Sequence, residues 1–302
     1  MTTAIRAGTA PHLFCFGLGY SAQVLADRLM SEGWRVSGTC RDRDTQESLA
    51  SRGLRAHLFD RDRPLGDVPT VLAGVTDVLS SVPPDDDGDP VLDCHGADLE
   101  TLAGLRWIGY LSTTGVYGDT GGGLVDETAQ LNPTSERSRR RVEAERGWLG
   151  LYRGHRLPVH VFRLAGIYGR GRNVLDQVRA GEARRIDKPG HVFSRIHVED
   201  VATVLRASMA RPDPGAVYNV CDDLPASQSD VVAYACALLG VTPPPLVRLE
   251  DVRQELSPMA LSFWRDNRRV DNSRIKHDLG VDLKYPDYRC GLQALLRETT
   301  DP

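Results

Sequence analysis

Near its start the chain runs from the apolar residues 13–16 straight into Gly17-Leu18-Gly19-Tyr20-Ser21-Ala22, and few folds accommodate that order. Residues 21–30 follow with Val24, Leu25 and Leu29 on one helical face. Gly33 is placed to stop the helix, and residues 34–40 read as a second strand, so the first forty residues form one βαβ unit. In Gly17-x-Gly19-x-x-Ala22 the first glycine permits a tight turn. The second lets backbone approach a pyrophosphate, and Ala22 is small enough for close helix packing. Phosphates then rest on the helix N-terminus. Gly17, Leu18, Gly19, Tyr20 and Ser21 are therefore the expected contacts of a dinucleotide.

The alternation continues with strands at 54–59 and 77–82, a helix at 91–103, a strand at 107–112, a long helix at 134–152 and a strand at 159–164. That pattern predicts an α/β protein with a Rossmann-type, doubly wound parallel sheet. Later residues are more irregular, with Pro189, Pro212, Pro214 and Pro243-Pro244-Pro245, which places a nucleotide-binding domain at 1–165 and a smaller substrate-binding lobe at 166–302, able to pack as one unit. The acidic run Asp85-Asp86-Asp87 lies between prolines and reads as a solvated loop rather than a metal site.

A 41% hydrophobic fraction with 26% charged residues suits a globular chain. The net charge of -4 argues against a nucleic-acid surface. Of 37 basic residues only Lys188, Lys276 and Lys284 are lysines, so a single arginine carries less information here than in most chains. The six cysteines show no metal or disulfide spacing, and residues 1–11 resemble neither a signal peptide nor a membrane span. A reduced, cytoplasmic protein without membrane contact is expected.

The second strand ends in Ser37-Gly38-Thr39-Cys40-Arg41. A carboxylate at that place would hold the two ribose hydroxyls of NAD, whereas a guanidinium pairs with the 2′-phosphate of NADP. Arg41 thus favours NADP, with Asp42 the route to NAD. Ser81 and Val82 end the fourth strand where an adenosine ribose would lie, and Asp60 ends the third near the adenine edge.

At the end of the fifth strand stands Leu111-Ser112-Thr113-Thr114-Gly115-Val116-Tyr117-Gly118. With Arg163-Leu164-Ala165-Gly166-Ile167-Tyr168-Gly169 and Arg195-Ile196-His197-Val198-Glu199-Asp200-Val201-Ala202, it resembles the extended short-chain dehydrogenase/reductases, the NAD-dependent epimerase/dehydratase group, over nearly the whole chain. The resemblance implies that Thr113 stands in for the catalytic Ser/Thr, and that Ser112, Leu164 and Gly166 lie on the cofactor. It also implies a YxxxK pair on the long helix, where this chain has Arg137 and Arg141 instead. Arginine stays protonated and cannot serve as the acid. Such chains resemble the atypical branch of the superfamily. Arg141 can still donate to ribose hydroxyls, and Arg137, one turn earlier on the same face, suits an anionic substrate group.

The competing reading makes Arg137, Arg139, Arg140 and Arg141 a solvated face paired with Glu136, Glu143 and Glu145. Tyr117, Tyr168 and His197 are the candidate replacement acids, each also at home in a structural role. Two functions follow: an NADP-preferring oxidoreductase or epimerase-like enzyme for a small anionic or sugar-like substrate, or a catalytically silent dinucleotide-binding sensor. The oligomeric state stays open.

Overall fold

The computed structural model describes residues 10–300, so most of the N-terminal stretch read above lies outside the described residues. Strand β1 (His12–Phe16) is buried throughout. Its alternate residues feed opposite cores, Leu13 and Cys15 into one and Phe14 and Phe16 into the other. A strand covered on both faces belongs in a parallel sheet with helices on each side. After the glycine turn come α1 (Tyr20–Ser31), β2 (Arg35–Cys40), α2 (Arg43–Ser51), β3 (Arg55–Leu58), β4 (Asp77–Ser80), α3 (Pro90–Thr101), β5 (Trp107–Thr113), α4 (Glu136–His155) and β6 (Val159–Leu164).

With a later strand, β7 (Val217–Val220), these form a seven-stranded sheet in the order β7-β6-β5-β4-β1-β2-β3. Every pairing in it is parallel. The chain therefore has the expected α/β fold with a Rossmann-type, doubly wound sheet. Helix α2 is one element that the apolar pattern does not announce. It buries only Leu49 and is started by Asp42, whose carboxylate accepts from the Thr45 N–H at 2.8 Å.

The part of the chain beyond residue 165 returns to the sheet. Strand β7 pairs with β6, and α5 (Val198–Ala210) packs on α1, with Leu25 and Leu29 sharing a core with Val201 and Leu205. Arg28 ties the two helices by donating to Thr203 Oγ1 at 2.9 Å and pairing with Glu199 at 3.0 Å. Residues on both sides of position 165 thus share one core, while Tyr168, Leu175, Val231, Tyr288 and Leu292 form a separate cluster. Among the described residues no helix is long and apolar enough to cross a membrane.

Candidate functional site

The strand order changes direction between β1 and β4, and ligands of open α/β sheets bind at the carboxyl ends of strands beside such a switch. A cleft of about 840 Å³ lies there, lined by Gly19, Tyr20 and Ser21 after β1, Ser81 after β4, Thr113 to Gly115 at β5 and Leu164 to Gly166 at β6. Ser112, Arg137 and Arg141 line it too. Ten of the residues expected to form a site therefore meet in one cavity.

The glycine turn is built by backbone. Gly17 has φ +86°, and a Cβ there would come within 2.8 Å of Ser81 Oγ. Its N–H donates to Thr39 Oγ1 at 2.8 Å, and the Leu18 N–H to the Thr39 carbonyl at 2.7 Å. Leu18 turns its side chain into the core, so with its N–H committed to β2 it has no donor left for a phosphate. Gly19 differs: its φ is -85°, and a Cβ would meet nothing within 4 Å. It caps α1 without any side-chain hydrogen bond, and no acidic residue stands in the first helical turn. A pyrophosphate fits that cradle of open space and uncapped helix N–H groups.

Arg41, Asp60 and Val82 lie off the cleft. Arg41 is exposed beyond β2. Asp60 pairs with Arg63 at 2.7 Å, and Arg63 also donates to the Arg41 carbonyl at 2.8 Å. Val82 packs on the core beside Gly17. Ser81 donates to the Gly17 carbonyl at 2.6 Å and so locks the turn.

At β5 the two hydroxyls diverge. Thr113 Oγ1 accepts from the Gly115 N–H at 3.1 Å, which leaves its own proton to donate into the cleft. Ser112 instead donates to Glu145 at 2.5 Å. Glu145 is buried, on α4, and pairs with Arg163 of β6 at 2.8 Å, while Arg163 also donates to the Tyr117 hydroxyl at 2.9 Å.

This pairing corrects the solvated-face reading for part of α4. Glu136 pairs with Arg139 at 2.7 Å, Arg140 pairs with Asp86, and Glu143 pairs with Arg146 at 2.6 Å, all at the surface. Glu145, however, faces inward. Arg137 and Arg141 lie on the cleft side, and Arg141 Nη1 donates to the Leu111 carbonyl at 2.7 Å and the Tyr110 hydroxyl at 3.1 Å.

The candidate replacement acids are committed elsewhere. Tyr117 is buried, donates to Asn219 Oδ1 at 2.7 Å, and its pKa is pushed up to about 12 by that burial. Tyr168 touches the cleft, but its hydroxyl donates to the Asp287 carbonyl at 3.4 Å and burial holds it far above the usual phenol range. His197 caps α5 by accepting from the Glu199 N–H at 3.2 Å, and burial lowers its pKa to about 4. Sequence reasoning missed Arg172, Arg195 and Arg268, which also line the cleft. Their neighbours in sequence are turns and strand ends, where no periodic pattern points to them.

No protein-family model matches the chain. It is 27% identical to Protein YeeZ of Escherichia coli strain K12 over 282 residues, 90% of this chain and 95% of that one. A conserved protein of unknown function from Silicibacter pomeroyi DSS is 51% identical, with a TM-score of 0.88 over 96% of this chain and 99% of the other. The dTDP-glucose 4,6-dehydratase of Bacillus anthracis, solved in complex with NAD, superposes with a TM-score of 0.75 at 18% identity over 96% of both chains. The chain thus belongs to the family of the Silicibacter pomeroyi protein, and its fold is that of the extended short-chain dehydrogenase/reductases, the NAD-dependent epimerase/dehydratase group.

Proposed function

We propose that the chain is an NADP-preferring oxidoreductase or epimerase-like enzyme of the extended short-chain dehydrogenase/reductase type, acting on a small anionic or sugar-like substrate. The observation that carries this reading is the single cleft in which the uncapped N-terminus of α1 faces Thr113, Arg137 and Arg141. Gly19, Tyr20 and Ser21 would hold the pyrophosphate, with Ser81, Leu164 and Gly166 along the rest of the cofactor. When bound, the nicotinamide supplies a hydride donor or acceptor at its C4.

Thr113 donates its free hydroxyl proton to a substrate oxygen and fixes that oxygen in the cleft. Arg141 is held by Leu111 and Tyr110 through one nitrogen and keeps its others for ribose hydroxyls. Arg137 attracts a negative substrate group. Proton transfer falls to water or to the substrate itself. The lining carboxylate Asp266 already accepts from Thr134 at 2.6 Å and pairs with Arg268 at 3.4 Å.

NADP is preferred because Asp42, the nearest carboxylate to the second strand's end, is engaged in capping α2 and Asp60 is engaged by Arg63. Arg41 remains for the 2′-phosphate. Calorimetric titration tests this: NADP binds more tightly than NAD, and Arg41→Ala removes roughly 1 to 3 kcal/mol of NADP binding while NAD is nearly unchanged. Equal losses for both cofactors would refute the preference.

A sensor reading has one observation in its favour. The Tyr20 hydroxyl, in the glycine turn, donates to the Arg170 carbonyl at 3.0 Å, a link across 150 residues from the cofactor cradle to the later part of the chain. Turnover with any substrate would exclude it.

A further inference from the structure

The arginines around the cleft are not equivalent. Arg195 donates to the carbonyls of Phe193 at 2.8 Å and Ala226 at 2.9 Å. Arg268 donates to the Gly118 carbonyl at 3.0 Å and pairs with Asp266. Arg141 is bound to Leu111 and Tyr110. Among the described residues, Arg137 and Arg172 alone of the five make no side-chain hydrogen bond or ion pair.

The backbone brings both residues to the cleft. Arg137 precedes Ser138, whose Oγ lies 2.9 Å from where a Cβ of Gly115 would be, so the start of α4 abuts the turn that carries Thr113. Arg172 closes a tight turn by exchanging two 3.0 Å backbone bonds with Gly169. Its guanidinium lies 5.8 Å from the Tyr20 ring. It also lines a second chamber of about 650 Å³ that adjoins the cleft. Both residues are exposed at the cleft. Partial desolvation and then the charges of Arg141 and Arg172 draw Arg137 below the ordinary arginine range, the direction in which an anion bound in the cleft would offset the repulsion.

We infer that Arg137 and Arg172 form a phosphate-binding clamp beside Thr113, and that the substrate carries a phosphate at its reacting end. This rests on the function proposed above and names its substrate class. A single guanidinium fork satisfies the two oxygens of a carboxylate, whereas a phosphate monoester with about -1.5 to -2 charge and three acceptor oxygens matches two forks.

The probe is inorganic phosphate, titrated calorimetrically into NADP-loaded protein, with acetate as the comparison. Phosphate is expected to bind at least about tenfold more tightly than acetate. Arg172→Ala and Arg137→Ala should each weaken phosphate about fivefold or more while NADP affinity holds within about a factor of two. Arg139→Ala, on the surface face of α4, should change neither. Melting curves identify any variant that fails to fold, and Arg172→Gln then serves as the milder replacement. Acetate binding as tightly as phosphate, or a folded Arg172 variant with unchanged phosphate affinity, overturns the clamp. Wild type that takes NADP but no phosphate overturns the clamp and leaves the proposed function. Wild type that takes no NADP overturns that function, and phosphate titration of the free protein with the same variants then decides the clamp alone.

Discussion

The two walls of the cleft are made differently. On the β1–α1 side the useful groups are backbone N–H donors at the end of a helix, set by two glycines with opposite demands: Gly17 needs a positive φ, and Gly19 needs empty space. On the α4 side the useful groups are side chains, and a buried ion pair two turns further along the helix holds that face inward. A backbone wall tolerates almost any sequence outside its glycines. A side-chain wall can be rewritten residue by residue while its support is kept. Arg137 and Arg141 stand on that side-chain wall, on the same helix as the Glu145 anchor.

The largest expected effect is on that anchor. Glu145→Ala leaves Arg163 buried with its partner gone, and removing one member of a buried pair costs about 3 to 5 kcal/mol. Chemical denaturation measures it. A cost below about 1 kcal/mol would mean that α4 is held by its apolar face, through Val142 and Trp148, and that the comparison between the walls is misdrawn.

Gly19→Val acts on the other wall. The backbone there accepts any residue and the new side chain points into open space, so the protein should melt within a few degrees of wild type. The side chain occupies the pyrophosphate cradle, and NADP affinity should fall at least about 100-fold, roughly 2.7 kcal/mol. Gly17→Val would be a poorer test, because the strain at φ +86° and the approach to Ser81 damage the fold as well. Intact NADP affinity in Gly19→Val would break the assignment of the backbone wall.

The same contrast explains what the sequence disclosed. The walls' scaffolding was legible because apolar periodicity and glycines report on backbone: β6 has the bounds that its apolar run indicates, and β1, α1 and β5 differ by a residue or so. Strand β4 ends earlier than expected, since Ser81 turns away to bond Gly17. Helix α2 and strand β7 escaped notice, the first for want of an apolar stripe and the second because four residues between loops give too short a pattern. Side-chain partnerships were largely illegible. Nothing in the spacing of Glu145 and Arg163 distinguishes a buried pair from the surface pairs around it, and Arg172 reaches the cleft only through a turn fixed by Gly169 and Tyr20.

The smallest expected effect separates the two faces of α4 most directly. Arg139 pairs with Glu136 in solvent, three residues away on the same helix, and such a pair contributes about 0.3 to 0.5 kcal/mol. Arg139→Ala should therefore change stability by no more than about 0.5 kcal/mol and leave NADP and anion binding as they were. Arg141→Ala is its counterpart two residues on. It strips the Leu111 carbonyl and the Tyr110 hydroxyl of a donor, at about 0.5 to 1.5 kcal/mol for each bond, and takes away the proposed ribose contact, so stability and NADP affinity should fall together. The division of the helix into a solvent face and a cleft face predicts that difference from neighbouring arginines of identical chemistry. Equal responses at 139 and 141, in denaturation and in NADP titration, would erase the division and return the whole arginine run to the surface.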